Sequence, residues 1–165
     1  GFLPDDLTRK DVWSMVSNSM ADAARYDRNV ELAGILLPYA GTGWSDHELA
    51  VLLCKMDCNN FAMWDDLLFS YAAGVFPIGA LANHSCVPTC CIMYDPVTKM
   101  QQFHCLRDVE VGEEITHAYI DIACEAMDRQ TKLKQQYHFK CTCEHCSCPP
   151  TIDAQYTSMV GGGHQ

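Results

Sequence analysis

Three cysteines lie within six residues in the segment CTCEHC, at Cys141, Cys143 and Cys146. Thiolates separated by one or two residues can bind one tetrahedral zinc ion, and such an ion constrains how the surrounding chain folds. A tetrahedral site needs a fourth ligand, and the spacing alone leaves three candidates open. Cys148 and His145 are close in sequence, whereas Cys86 lies far upstream and would connect two distant parts of the chain.

The total of eleven cysteines in 165 residues indicates the compartment in which the protein works. An odd number would leave one thiol unpaired in a secreted disulfide framework. The sequence also shows no signal-peptide pattern and no run of about 18 apolar residues. We therefore predict an intracellular protein, cytoplasmic or nuclear, with reduced cysteines and no membrane partner.

Charge and composition limit the classes of partner. The formal net charge is −10 at pH 7, while 48% hydrophobic and 19% charged residues are ordinary values for a single globular domain. Binding to nucleic acid requires a basic face for phosphate contacts, so direct binding of nucleic acid is not expected. An acidic surface suits a basic partner, such as a lysine-rich peptide.

Helical patterns occupy the first third of the chain. Apolar residues recur at near-helical spacing between residues 7 and 28, which predicts one amphipathic helix. Ser45 and Glu48 form a capping-box pattern that opens a second helix. The apolar face of this second helix is predicted to contain Leu49, Leu52, Leu53 and Met56.

From about residue 61, short apolar stretches alternate with turn residues, which is typical of β-strands. Asp95-Pro96 separates CCIMY from QQFHCLRD and predicts a β-hairpin. Gly112 marks a turn before EITHAYI, which is predicted to be a buried strand. A last short helix is predicted from Asp128 to about Tyr137.

Four segments of the chain occur in an order that resembles a known family. They are CNNF (58–61), NHSC (83–86), RDVEVGEEITHAYID (107–121) and YHFKCTCEHC (137–146). The last three resemble the C-terminal half of the SET-domain lysine methyltransferases with their post-SET cysteines, and CNNF has a counterpart in the subfamily named next. They are most similar to the SET and MYND subfamily, called SMYD, and the resemblance extends from about residue 45 to residue 148.

The resemblance implies an α+β architecture, the SET fold, in which short curled strands surround a C-terminal segment threaded through a loop. It implies an inserted helical region (1–60), the C-terminal SET core (61–136), a post-SET zinc-binding segment (137–150) and a flexible tail (151–165). The N-terminal SET half and the MYND module have no visible counterpart here, so the chain is expected to be part of a longer protein.

The resemblance also implies roles for individual residues. In the family, the asparagine and histidine of the NHSC turn contact S-adenosylmethionine, and the next cysteine binds zinc with the three post-SET cysteines. The implied zinc ligands are Cys86, Cys141, Cys143 and Cys146, which favours Cys86 as the fourth ligand. The implied cofactor contacts are Asn59, Asn83, His84, Tyr119 and Phe139. The implied lysine channel contains Phe61 and Tyr137, and Tyr119 is the implied catalytic residue.

The function implied by the resemblance is S-adenosylmethionine-dependent protein-lysine N-methylation, with a lysine-containing protein or peptide as substrate. Methyl transfer is an in-line displacement that needs alignment and a neutral amine, and it needs no covalent nucleophile. A nucleophile pair of Cys86 and His84 is therefore not expected, and no role is expected for Glu113, Glu114 or His117. The alternative is a non-catalytic, zinc-stabilised SET-like module that binds a peptide in the same groove.

Overall fold

The computed structural model describes residues 9–17, 22–65, 67 and 69–147, so the predicted flexible tail and Cys148 lie outside the described residues. The chain divides into two compact units, one that ends at Leu81 and one that begins at Ala82. Both units contain helices and strands, in agreement with the predicted α+β class. Within the described ranges, every helix is too short or too polar to cross a membrane.

The first unit combines helices with a β-hairpin. Its elements are α1 (Arg9–Ser14), α2 (Ala23–Leu36), α3 (Asp46–Asn59), β1 (Asn60–Trp64) and β2 (Ser70–Val75), with 3₁₀ turns at Leu37–Tyr39 and Gly79–Leu81. β1 and β2 pair antiparallel, and their register shifts between Met63 and Trp64. α2 and α3 pack through a small buried core of Ala33, Leu49 and Ala50.

The prediction of one helix over residues 7–28 is wrong. α1 ends at Ser14, and a separate helix begins at Ala23 and continues to Leu36. The carboxylate of Asp22 accepts a hydrogen bond from the backbone N–H of Arg25 at 2.9 Å, so Asp22 caps the start of a new helix. A side chain in this capping role satisfies a free N–H at a helix start, which periodicity of apolar residues does not reveal.

The predicted start of the second helix is confirmed. The hydroxyl of Ser45 accepts from the backbone N–H of Glu48 at 3.2 Å, and the Glu48 carboxylate accepts from the backbone N–H of Ser45 at 2.9 Å. These two reciprocal bonds complete a capping box at α3. Leu49 on its predicted apolar face is buried, whereas Met56 at the other end is 41% exposed.

Removal of this cap gives a local stability prediction. We expect Ser45→Ala to lower the free energy of unfolding by about 1 kcal/mol, because the alanine leaves a backbone N–H of the first turn without its acceptor. Denaturant unfolding followed by circular dichroism measures the change. Ser45→Asp is the matched control, since aspartate is an equally good cap. Equal losses for Ser45→Ala and Ser45→Asp would contradict the capping role.

The second unit contains short strands followed by two helices. Its elements are β3 (Asn83–His84), β4 (Cys90–Tyr94), β5 (Gln101–Cys105), β6 (Thr116–His117), α4 (Ala126–Tyr137) and α5 (Glu144–Ser147). The predicted hairpin is confirmed, because β4 and β5 pair antiparallel from Cys90 opposite Cys105 to Tyr94 opposite Gln101. The predicted strand EITHAYI shortens to the two residues of β6, which pair in parallel with β3.

The end of α4 returns the chain toward the body of the second unit. His138 adopts a left-handed conformation with φ of 62°, and its backbone N–H donates to the Lys134 carbonyl at 3.2 Å. A residue in this conformation ends a helix and reverses the chain. Beyond it, the side chain of Gln130 donates to the Cys141 carbonyl at 2.7 Å and accepts from the Cys141 N–H at 3.1 Å. The post-helix segment is therefore held against α4 at its first cysteine.

Candidate metal centre and aromatic site

The structure brings four cysteines of the second unit into one cluster, formed by Cys86, Cys141, Cys143 and Cys146. Their four sulfur atoms all lie within 4.8 Å of one another, and the sulfurs of Cys86 and Cys146 are 3.5 Å apart. Cys86 and Cys141 are buried, and they form a core cluster with Leu133 of α4. The cluster thus combines a turn after β3 with the segment after α4.

The donor set fits zinc. Four Zn–S bonds of about 2.3 Å at tetrahedral angles separate the sulfur atoms by about 3.8 Å, which small movements of these side chains would produce. The local chain also places the last two cysteines on one turn, since the backbone N–H of Cys146 donates to the Cys143 carbonyl at 3.0 Å. The cluster could therefore hold a metal ion, and its donor set and spacing fit a structural zinc site.

The thiols of the cluster differ in pKa. Burial is the main cause that raises the pKa of Cys86 far above its usual range, and burial also raises the pKa of Cys141 to about 11. Burial favours a higher pKa for Cys143 as well, but hydrogen bonds from the backbone N–H groups of Cys146 and Cys86 lower it to about 7. Ligand thiols must lose their protons, and a divalent cation supplies the countercharge that four adjacent thiolates need.

His84 lies beside this cluster. Its Nε2 is 3.2 Å from the Cys86 sulfur, and its Nδ1 accepts a hydrogen bond from the backbone N–H of Tyr119 at 3.0 Å. The pKa of His84 is lowered to about 4, mainly by burial and to a smaller extent by the nearby His117 and Arg129. The imidazole is therefore neutral at pH 7.

Tyr119 is the centre of an aromatic cluster. Its ring centroid lies 4.8 Å from that of His117, 4.9 Å from Tyr137 and 6.4 Å from Phe139. The Tyr119 hydroxyl donates to the Ala82 carbonyl at 2.8 Å, and the Tyr137 hydroxyl donates to the Tyr119 carbonyl at 3.3 Å. Burial, with smaller effects of Tyr137 and Glu114, raises the pKa of Tyr119, so its hydroxyl stays protonated.

Asn83 has a partner that sequence reasoning missed. Its side-chain amide donates to a carboxylate oxygen of Glu114 at 2.6 Å. Asn83 and Thr116 are opposite each other in the β3–β6 pair, which brings Glu114 close to the NHSC turn. The parallel pairing of two distant short strands produces this contact, and the residue types alone did not indicate it.

Known proteins match this sequence across both units. A family model, the SET domain, matches residues 9–120, which is more than half of the chain. The chain belongs to the SET-domain family. The match begins in α1 and ends just after Tyr119, so it contains the NHSC turn and the centre of the aromatic cluster.

The relatives of this SET-domain chain include several SMYD proteins. The N-lysine methyltransferase SMYD2 of Homo sapiens is 32% identical over 106 residues, which are 64% of this chain and 24% of that protein. The Histone-lysine N-methyltransferase SMYD3 of Homo sapiens is 33% identical over 99 residues, or 60% of this chain and 23% of that protein. The predicted resemblance to SMYD proteins is confirmed, and the chain spans about a quarter of the length of these curated relatives.

Two of the predicted site residues of the SET-domain chain lie in the first unit. Asn59 is the last residue of α3, and its amide nitrogen donates to the carbonyls of Lys55 and Val16 at 2.7 and 2.8 Å. Phe61 in β1 packs edge-on against Phe76, with ring centroids 5.9 Å apart. The other nine predicted site residues belong to the second unit, where they form the cysteine cluster and its aromatic surroundings.

Arg129 is a further residue of the SET-domain site that sequence reasoning missed. It is fully buried in α4, donates to the Cys124 carbonyl, and lies 3.5 Å from the His145 carbonyl. One of its terminal nitrogens is 4.0 Å from the Cys146 sulfur. A buried guanidinium reduces the electrostatic cost of nearby thiolates. The sequence signal was weak, because an arginine in a polar helix is usually exposed.

Proposed function

We propose that this SET-domain protein transfers a methyl group from S-adenosylmethionine to the side-chain amine of a lysine in a protein substrate. The relatives that it matches are named N-lysine and histone-lysine methyltransferases, which supports the reaction class. The observation that carries the proposal is the meeting of Tyr119, the NHSC turn and the cysteine cluster within one compact unit. The formal charge of −10 favours a basic, lysine-containing substrate.

The proposed catalytic residue is Tyr119. Bound S-adenosylmethionine would supply an activated methyl group on a positively charged sulfur. The hydrogen bond from the Tyr119 hydroxyl to the Ala82 carbonyl fixes the direction of the O–H bond. The oxygen lone pairs then remain to orient the methyl group and the attacking amine.

The aromatic rings around Tyr119 suit the same chemistry. Tyr137 and Phe139 contribute apolar surface that excludes water and favours the neutral form of a lysine amine. The faces of aromatic rings also attract positive charge, which methyl transfer moves from sulfur to nitrogen. Roles for Phe61 in a lysine channel and for Asn59 in cofactor binding are those that the family resemblance implies.

We propose a structural role for zinc, held by Cys86, Cys141, Cys143 and Cys146. Zinc bound by four thiolates has no open position for a substrate, so its contribution is to the folding of the segment around Tyr119 and Phe139. The thiolates must remain reduced, which favours a cytoplasmic or nuclear location.

Two measurements test the proposed function. Calorimetry measures binding of S-adenosylmethionine to this chain and to the full-length protein that contains it, because the chain spans about a quarter of its relatives. Methylation of a lysine-rich peptide is then followed with the same proteins. We expect the full-length protein to bind the cofactor and to methylate lysine. A folded, zinc-loaded full-length protein that does neither would contradict the proposal and favour the non-catalytic interaction module.

Asn83 gives a prediction for cofactor binding. We expect Asn83→Ala to weaken binding of S-adenosylmethionine about tenfold, the value of one hydrogen bond of about 1.4 kcal/mol, and to leave the zinc content unchanged. Calorimetry and metal analysis measure the two quantities. Asn60→Ala, at an exposed asparagine of β1, is the matched control. Loss of zinc from Asn83→Ala would instead assign Asn83 to the structure of the cysteine cluster.

A further inference from the structure

His84 lies between the cysteine cluster and Tyr119, and each of its ring nitrogens faces one of them. The Tyr119 backbone N–H is 3.0 Å from Nδ1, and the Cys86 sulfur is 3.2 Å from Nε2. The ring is half-buried, with its centroid 5.4 Å from the Tyr119 ring and 6.0 Å from the Phe139 ring. Its orientation is therefore set by protein groups on both sides.

The two partners determine where the imidazole proton lies. A backbone N–H can only donate, so Nδ1 must accept and cannot itself carry a proton. The proton of the neutral ring then lies on Nε2, where it points at the Cys86 sulfur. A metal-bound thiolate accepts such a hydrogen bond. Hydrogen-bond donors that contact a metal ligand without binding the metal orient that ligand and strengthen metal binding.

We propose that His84 is a positioning residue that connects the metal-binding thiolate of Cys86 to the backbone of Tyr119. The inference rests on the zinc site proposed above. Two hydrogen bonds through one rigid ring connect the two residues. Binding of zinc would then hold Tyr119 in place. Because both ring nitrogens of His84 are used within the protein, any contact of the cofactor with His84 would use the backbone or the carbon atoms of that residue.

Substitutions of His84 can separate the two hydrogen bonds. His84→Gln places an amide nitrogen near the former position of Nε2, so it keeps the donor to Cys86 and loses the acceptor for Tyr119. His84→Asn places an amide oxygen near the former Nδ1, so it keeps the acceptor and loses the donor. His84→Ala loses both. His104→Gln makes the same change at an exposed histidine of β5 and serves as the matched control.

The first measurement is the rate at which the zinc-loaded chain releases zinc to a chromogenic chelator at constant pH. We expect His84→Ala and His84→Asn to release zinc about 10–100-fold faster than the wild type, the usual effect of losing an outer-shell partner. His84→Gln and His104→Gln should release it at nearly the wild-type rate. The inference is overturned if His84→Asn keeps zinc as the wild type does, or if His84→Gln loses it as fast as His84→Ala.

The second measurement is spectroscopic and does not depend on methyl transfer. In the chain loaded with ¹¹³Cd in place of zinc, the proton on His84 Nε2 is expected to show scalar coupling to the metal through the N–H···S hydrogen bond. Long-range ¹H–¹⁵N spectra should show Nδ1 without a proton. A metal-loaded wild type that lacks the coupling and carries its proton on Nδ1 would overturn this inference alone. Failure of the wild type to bind either metal would overturn the proposed zinc site as well.

Discussion

Cys86→Ser is expected to release zinc from the chain and to unfold the region around the cysteine cluster. Cys86 is buried among three other cysteines and Leu133, and its sulfur is 3.5 Å from that of Cys146. A structural zinc contributes about 10–16 kcal/mol of binding energy in small domains, which is comparable to the whole stability of a typical protein. Loss of one of four ligands removes a large part of that energy.

Metal analysis and thermal unfolding of the purified variant measure this result. Cys91→Ser is the matched control, because Cys91 lies in β4 and does not belong to the cysteine cluster. Cys148→Ser tests the cysteine closest in sequence to the other three as the fourth ligand, and we expect it to change zinc content and thermal stability little. If Cys148→Ser lost zinc while Cys86→Ser kept it, the proposed ligand set would be wrong.

Tyr119→Phe is expected to lower the rate of methyl transfer by about 10²–10³-fold, the usual cost of losing one preorganised polar contact with a transition state. The substitution removes the hydroxyl and keeps the ring that packs against His117 and Tyr137. The lost hydrogen bond to the Ala82 carbonyl should lower the stability by about 1 kcal/mol. Binding of S-adenosylmethionine should change little, because the apolar surface of the ring is retained.

Single-turnover methylation by the full-length protein measures this rate. Tyr94→Phe is the matched control, since the Tyr94 hydroxyl in β4 contacts Gln101 within the hairpin. We expect that control to react at the wild-type rate. If methyl transfer limits the rate and Tyr119→Phe reacts as fast as the wild type, the Tyr119 hydroxyl has no role in methyl transfer and the residue only packs in the core. A large loss of thermal stability in Tyr119→Phe would assign its hydroxyl to the fold.

The fold shows which local sequence signals were sufficient to predict a helix start or a hairpin. The Ser45–Glu48 capping box and the Asp95 turn of the hairpin depend on neighbouring residues, and both predictions are confirmed. The predicted helix over residues 7–28 failed, because the cap at Asp22 starts a new helix within a continuous apolar pattern. The strand EITHAYI shortened to two residues, because its pairing partner is the equally short β3.

The predictions about the candidate site also fall into those that local sequence signals supported and those that they missed. The spacing in CTCEHC predicted three neighbouring thiols. The order of the three SET-like motifs predicted the SET-domain family, which the match over residues 9–120 confirms. The ligand set remains a prediction, although the structure brings Cys86 into the cluster. The burial of Arg129 and the contact of Glu114 with Asn83 were not predicted, since polar side chains at these positions usually face solvent.

The sequence by itself determined the family, the cysteine-rich segment and the residue types available to the site. The spacing of the cysteines left Cys148, His145 and Cys86 open as the fourth ligand, and only the family resemblance favoured Cys86. Tertiary structure brought Cys86 to the cluster, because β3 pairs with β6 and the segment after α4 returns to both. The tertiary structure also decided the orientation of the His84 ring. Its two partners, Cys86 and Tyr119, are brought together by long-range packing, which the residue types do not reveal.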